Sequence, residues 1–179
     1  MSKIEIHKNS ITKLTTDAVV NAANSSLRQG SGVCGAIFKA AGAGKLQKAC
    51  DAIGHCPTGS AVITPAFDLE NKYIIHAVGP IYTDGKHGEP EQLYSCYMKS
   101  LELARENACK SIGFPLISAG IFGYPKKEAW EIALTACKDF IKENPDYDIT
   151  IVFVGLDRDV LNIGKEILEH NKEDNSSTN

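Results

Sequence analysis

The chain has 179 residues, of which 43% are hydrophobic and 23% charged, and at roughly 150 residues per domain this length predicts one soluble globular domain. Its 19 basic and 22 acidic residues give a net charge of −3, which argues against a broad basic surface for duplex nucleic acid or an anionic membrane. Its apolar runs are far shorter than the ~20 residues of a membrane span.

The N-terminal segment and the cysteines predict a cytoplasmic protein. Residues 1–5 have no apolar core of an export signal. The 6 cysteines are scattered, without a Cys-x-x-Cys pair, and in a chain that is not exported this indicates reduced, buried side chains. Cys50, His55 and Cys56 do not supply the ligand set of a structural zinc site. We therefore expect neither a metal nor a cofactor.

The first half of the chain predicts strands separated by short helices. Apolar, β-branched runs indicate the strands, and apolar residues at helical spacing indicate the helices. In chain order these are strand Lys3–His7, strand Asp17–Ala22, helix Val33–Ala41, helix Lys45–Ile53, strand Ser60–Thr64 and strand Lys72–Val78.

The second half predicts longer helices that alternate with strands. Apolar residues repeat at helical spacing in two long segments, and Pro125 suits the first turn of the second one. The predicted order is surface loop Asp84–Pro90, helix Leu93–Ala108, strand Ser111–Ile117, helix Ala129–Ile141, strand Ile149–Val154 and a helix from about Asp159 through Ile167. The polar segment 172–179 is predicted to be a disordered tail.

This alternation of strands and helices predicts an α/β layer fold over residues 1–171. Several strands are apolar at consecutive positions, as in Ile151–Val154. Such runs are typical of a largely parallel sheet that helices cover on both faces.

Two glycine-rich segments follow predicted strands. One passes from Asn24 into Gly30–Gly35 and opens a helix, and the other runs from Pro115 to Pro125, also into a helix. Ligands of open α/β sheets bind beyond the carboxyl ends of the strands, and N–H groups at a helix start attract anions. The two loops therefore suit a diphosphate held from both sides.

Other interpretations of these loops stay open. Gly30, Gly32 and Gly35 spell Gly-x-Gly-x-x-Gly, but they do not directly follow the strand, and Asp51 lies in a helical stretch, so the dinucleotide fingerprint fits poorly. Glycines at these positions are also compatible with tight turns alone.

Few side chains near the loops can do chemistry. Asn24 suits a sugar hydroxyl, or it braces its own loop. Cys34, in a first helical turn, is either a nucleophile or a packed thiol, and no histidine is near it in sequence. Phe122 packs on a ligand ring or caps the core. His76, within an apolar strand, favours a satisfied interior histidine.

These segments resemble the macrodomain family of ADP-ribose-binding modules, and most closely its MacroD-like branch. The matching segments keep the family's order and spacing over about residues 4–155. They are Asp17–Leu27, Gly30–Gly42, Cys56–Gly59, Ile75–Pro80 and Phe114–Pro125.

The resemblance implies a three-layer α/β/α sandwich with a mixed, mostly parallel six-stranded sheet. It implies that Asn24 holds the distal ribose, that Phe122 lies beside that ribose and that the two loops bind the diphosphate. It also implies removal of mono-ADP-ribose from acidic side chains and deacetylation of O-acetyl-ADP-ribose. The ligand-binding positions are Ile11, Asn24, Gly32, Val33, Cys34, Gly35, Ser118, Ala119, Gly120, Ile121, Phe122, Gly123 and Leu156.

Three positions depart from the branch pattern. Cys34 stands where an Asp is proposed to activate water, and a thiol does not replace a carboxylate base. Ser10 replaces an Asp that reads the adenine amino group. Leu156 stands where an aromatic residue often stacks on adenine.

The sequence therefore leaves three functional hypotheses. The first is a monomeric hydrolase of mono-ADP-ribosyl esters on protein Asp or Glu, with Asn24 as a catalytic residue and a substrate phosphate in place of the missing carboxylate. The second is a reader that binds ADP-ribose or a mono-ADP-ribosylated protein without turnover. The third is a related module whose nucleotide specificity has shifted through Ser10 and Leu156.

Overall fold

The computed structural model describes the backbone of residues 1–177 and the side chains of residues 1–172. The elements alternate as the sequence predicts. In chain order they are β1 (Lys3–Lys8), a 3-10 turn (Ile11–Lys13), β2 (Ala18–Ala22), α1 (Gly32–Ala41), α2 (Ala43–Ile53), β3 (Ala61–Pro65), β4 (Tyr73–Ala77), α3 (Glu89–Glu106), β5 (Ser111–Phe114), α4 (Lys126–Glu143), β6 (Thr150–Gly155) and α5 (Arg158–Ser177).

The strands form one six-stranded sheet in the order β1-β6-β5-β2-β4-β3. β3 runs antiparallel to β4, and the other pairs are parallel. This confirms the mixed, mostly parallel sheet implied by the resemblance. The carboxyl ends of β2, β5 and β6 meet at one edge, where the predicted loops begin.

Helices cover both faces of the sheet, so the strands are buried on both sides. Ala18 and Val20 of β2 pack in a core with α3 and α4, whereas Val19 packs in a second core with α1 and α2. Successive strand residues point to opposite faces. Consecutive apolar residues of one strand therefore pack alternately in the two cores. This explains the uninterrupted apolar runs in the sequence.

Several boundaries differ from the sequence prediction. The strand predicted to reach Ile117 ends at Phe114, because Pro115 has no N–H for a strand partner. The helix predicted to reach Ala108 ends at Glu106, and Ala108 takes a left-handed turn with φ of 56°.

The C-terminal segment also differs from the predicted disordered tail over 172–179. The helix α5 continues to Ser177, and residues 178–179 lie outside the described residues. Extending a nucleated helix by one residue costs little, so a polar composition by itself does not end it. Within the described residues, no helix is long and apolar enough to cross a membrane.

Candidate functional site

A cleft lies at the edge of the sheet where β2, β5 and β6 end. Its first part is a cavity of about 440 Å³ enclosed by both glycine-rich loops. It is lined by Ala22, Ala23, Asn24, Gly30, Ser31, Gly32, Val33, Cys34, Gly79, Pro115, Leu116, Ile117, Ser118, Gly120, Ile121 and Phe122. The structure thus brings together most of the predicted ligand-binding positions around one space.

The first loop leads into α1, whose helical residues begin at Gly32. Ser31 precedes them, and its side chain does not cap the helix. The first N–H groups of a helix have no intrahelical acceptor, so they are available to an anion. A Cβ placed on Gly35 would lie 2.6 Å from the carbonyl oxygen of Gly30, which explains the third glycine of the motif as a close backbone contact.

Asn24 lies at the wall of this cavity and is held by its own loop. Its Nδ2 donates to the carbonyl oxygen of Arg28 at 2.8 Å, and its Oδ1 accepts from the Arg28 N–H at 3.0 Å and from Ser26 Oγ at 2.9 Å. These bonds show that the amide braces its own loop, and they fix the orientation of Asn24 at the cavity wall; contact with a sugar hydroxyl stays a prediction.

Cys34 lies beside Asn24, in the first turn of α1. A Cβ placed on Gly30 would be 3.8 Å from Cys34 Sγ and 3.9 Å from Asn24 Nδ2. The thiol is 6% exposed and its Sγ lies 3.8 Å from the carbonyl oxygen of Arg28. Among the described residues that line this cavity, none is a histidine or a carboxylate. A base that would activate the thiol is therefore missing from the cavity wall.

The second loop forms the opposite wall and is held in a tight turn. Ser118 has a φ of 67°, and the Tyr124 N–H donates to its carbonyl oxygen at 2.8 Å. The Gly123 N–H donates to the carbonyl oxygen of Gly120 at 3.0 Å. Phe122 is only half-buried and lines the cavity. It therefore contributes to the cavity wall, and its contact with a ligand ring stays a prediction.

A second cavity of about 650 Å³ continues the cleft toward the end of β6 and shares Gly32, Val33, Pro115, Leu116 and Gly120 with the first. Its far end is lined by Asn9, Ser10, Ile11, Val154, Gly155, Leu156 and Asp157. The predicted positions Ile11, Leu156 and Ala119 lie here.

The polar groups at this far end are largely engaged within the protein. Ser10 Oγ lies 3.0 Å from Thr12 Oγ1, and either hydroxyl can be the donor. One carboxylate oxygen of Asp157 accepts from the N–H groups of Asp159 and Val160 at the start of α5. Leu156 is 70% exposed. A planar base here would lie among aliphatic side chains, the Ser10–Thr12 hydroxyl pair and the side chains of Asn9 and Asp157.

His76 lies outside the cleft, in β4, and is a satisfied interior histidine as predicted. Its Nδ1 is 3.0 Å from Asn21 Nδ2, and its Nε2 is 2.9 Å from Thr64 Oγ1. Burial lowers the pKa of His76 to about 4. The ring is therefore neutral at physiological pH and belongs to the core.

Sequence reasoning included Ile75–Pro80 among the segments that match the family but assigned no site role to the residues that follow β4. Gly79 lines the first cavity, and the Tyr82 N–H donates to the carbonyl oxygen of Phe122 at 2.9 Å. The available signal was the position of β4: its carboxyl end lies beside that of its parallel neighbour β2, so the residues that follow it reach the same edge of the sheet.

The comparisons with known proteins agree with this geometry. The family model described as Macro domain matches residues 20–133. A relative from Escherichia fergusonii named O-acetyl-ADP-ribose deacetylase is 49% identical over 144 residues, which are 78% of this chain and 81% of the relative.

Two solved structures are similar to this chain over most of its length. The Oceanobacillus iheyensis macrodomain with ADP has a TM-score of 0.90 and 40% identity, over 97% of this chain and 93% of that one. The Trypanosoma brucei macrodomain in complex with ADP-ribose has a TM-score of 0.85 and 33% identity, over 92% of this chain and 68% of that one. From its matched residues, its sheet and its two-loop cleft, this chain is a member of the macro domain family.

Proposed function

We propose that this protein binds ADP-ribose in the two-part cleft and hydrolyses mono-ADP-ribosyl esters on protein Asp or Glu side chains. The observation that carries the proposal is the cavity between the two loops, with Asn24 and Phe122 on its walls. The solved relatives with ADP and ADP-ribose support the ligand, and the deacetylase name of one relative supports ester hydrolysis.

The diphosphate would lie between the start of α1 and the second loop, with the distal ribose beside Asn24 and Phe122 and the adenosine in the second cavity. Backbone N–H groups at a helix start bind phosphate without a basic side chain. This suits the first cavity, since among its described lining residues there is neither lysine nor arginine.

The hydrolysis would rely on the substrate's own groups. Water attacks the anomeric carbon of the distal ribose, the bond to the acyl oxygen breaks, and the target carboxylate leaves with the bonding electron pair. A carboxylate with a pKa of about 4 departs at neutral pH without a proton from an acid. A diphosphate oxygen orients the water, Asn24 orients the ribose, and the proton passes to solvent.

Asn24→Ala tests this proposal. Wild-type protein and the variant are incubated with a target mono-ADP-ribosylated on Asp or Glu, and released ADP-ribose is measured by chromatography. We expect loss of Asn24 to slow release by at least tenfold, because the ribose loses its fixed donor and acceptor. Ser26→Ala is the matched control: it removes one bond to Asn24 Oδ1 and leaves the amide in place. Equal release by wild type and Asn24→Ala would contradict the proposal.

A second candidate function is a reader that binds ADP-ribose without turnover. Cys34 favours it, since the cavity wall has no carboxylate base among its described residues. Calorimetric binding of ADP-ribose combined with no release from the modified target would establish the reader. O-acetyl-ADP-ribose, tested in parallel, decides whether deacetylation accompanies either function.

A further inference from the structure

The segment 79–89, between β4 and the start of α3, lies against the second loop; its first residue, Gly79, lines the first cavity, and the residues after it contact the loop through Pro80 and Tyr82. Ser118 Oγ donates to the carbonyl oxygen of Pro80 at 2.8 Å, and the Tyr82 N–H donates to that of Phe122 at 2.9 Å. The ring centroids of Tyr82 and Tyr124 are 4.9 Å apart. The backbone position of Phe122 therefore depends on where Tyr82 is held.

The first residue of this segment, Gly79, is also in close contact with the second loop. A Cβ placed on Gly79 would lie 2.3 Å from Ser118 Oγ and 2.5 Å from Ile117 Cγ2. The side chains of Ile117 and Ser118 thus pack directly against the Gly79 backbone, so a shift of the segment at this point would displace them.

Glu89 organises the far part of the segment. Its side chain is buried, with the residue 2% exposed. Oε2 accepts from the N–H groups of Thr83 at 2.9 Å, Asp84 at 3.1 Å and Gly85 at 2.9 Å, and Oε1 accepts from the N–H of His87 at 2.6 Å. These backbone hydrogen bonds, that of Thr83 foremost, lower the pKa of Glu89 to about 2. The carboxylate is thus ionised at neutral pH. It holds the turn at residues 83–87 through four backbone N–H groups.

The same loop contains three side chains that could in principle bind a metal ion. A metal site accounts for the hydrogen bonds of Glu89 less well than a structural role does. The ligand atoms of Asp84, His87 and Glu89 lie within 4.8 Å of one another. His87 Nδ1 and Asp84 Oδ1 are already 2.8 Å apart in a hydrogen bond, and both Glu89 oxygens accept backbone N–H groups. The cluster is satisfied internally, so its evident role is to hold the loop.

We propose that Glu89 is a positioning residue for the half of the cleft that receives the distal ribose. Glu89 fixes residues 83–87, this loop fixes Tyr82, and the Tyr82 N–H fixes the backbone of Phe122. The inference rests on the proposed function for the identity of the ligand. The effect of Glu89 on the conformation of the second loop can be tested without ligand.

Glu89→Gln is the central variant, because it keeps the size of the side chain and puts an NH₂ group against backbone donors. Hydrogen exchange is measured on the amides of Gly123 and Tyr124, whose bonds close the second loop. We expect their exchange to accelerate about tenfold, while amides in α1 stay unchanged. We also expect calorimetric affinity for ADP-ribose to fall about tenfold and affinity for AMP, which lacks the distal ribose and the phosphate next to it, to stay within about twofold.

Asp17→Asn is the matched control. Asp17 Oδ2 also accepts a backbone N–H, that of Lys110 at 2.8 Å, but at the opposite edge of the sheet. We expect it to lower the melting temperature without changing exchange in the second loop or the ratio of ADP-ribose to AMP affinity. Glu89→Asp retains the charge and should restore part of the ratio that Glu89→Gln loses.

Unchanged exchange at Gly123 and Tyr124 would overturn the proposal, as would equal weakening of ADP-ribose and AMP. If wild-type protein fails to bind ADP-ribose, the proposed function is wrong, and the exchange measurement still decides the role of Glu89. If Glu89→Gln does not fold, the same measurements are made on Glu89→Asp, which keeps the charge but shortens the reach to the four N–H groups; we expect a smaller change in the same direction, and an unchanged exchange and affinity ratio would overturn the proposal.

Discussion

Asn24 and Cys34 flank Gly30 on one wall of the cleft, and they differ in what they can contribute. The amide of Asn24 has its orientation fixed by bonds to Arg28 and Ser26. Cys34 has no base beside it among the described residues of the cavity wall, and a neutral thiol does not accept a proton from water as a carboxylate does. A reaction at this wall therefore depends on a good leaving group.

Cys34→Asp tests that dependence. We expect the carboxylate to raise kcat on the Asp- or Glu-linked target by at least about tenfold, since a positioned general base typically contributes 10²–10⁴. The pH–rate profile should also gain an acid limb that the parent lacks. Cys34→Ser is the control of similar size, and we expect it to leave turnover unchanged. Equal rates for the Asp and Ser variants would place the reacting water away from this position.

At the scale of elements, the packing of α5 on α4 forms one side of the second cavity. Trp130 of α4 is 1% exposed, and its Nε1 donates to the carbonyl oxygen of Val160 at 2.8 Å. A Cβ placed on Gly164 of α5 would lie 2.6 Å from the indole ring. The two helices approach this closely only because position 164 has no side chain.

Gly164→Ala should therefore destabilise the protein although it replaces glycine within a helix. The added methyl forces the indole or α5 to move, at a cost of about 1–3 kcal/mol. Gly44→Ala in α2 is the matched control: a Cβ there meets nothing within 4 Å, so the same change should stabilise by about 0.5–1 kcal/mol. Urea unfolding followed by tryptophan fluorescence measures both. A neutral or stabilising Gly164→Ala would contradict the packing argument.

The elements show which parts of the molecule could be predicted from the sequence. Residues 151–154 serve two cores, so their consecutive apolar side chains predicted β6 correctly. The two loops were predicted because their glycines leave a local pattern. The support given by Glu89 was not predicted: its four donors come from a turn whose sequence looks like an ordinary surface loop, and its effect passes through Tyr82 to a loop that is distant in sequence.

For the whole molecule, His76 links stability to pH. Its pKa is lowered to about 4 in the folded state, against about 6.5 when unfolded, so the unfolded chain binds more protons between these values. The stabilisation is fully present above pH 6.5 and is lost as the pH falls through 4, with a total on the order of 3 kcal/mol.

The melting temperature of wild-type protein should therefore fall as the pH is lowered from 7 to 5. We expect His76→Gln to be less stable at pH 7, because a buried network is disrupted, but to show a flatter pH dependence over this range. His7→Gln, at an exposed site, serves as the control and should retain the wild-type slope. A wild-type slope in His76→Gln would show that another group controls acid unfolding.

The neutral lining of the first cavity also bears on how the protein would select its ligand in the cell. Backbone dipoles bind a phosphate at short range but add little long-range attraction. Few counterions would therefore be released on binding, and affinity would depend little on salt. Additional phosphates beyond the two loops would gain nothing there. Affinity at this wall would thus depend on how well two phosphates fit between the loops and not on the total charge of the ligand.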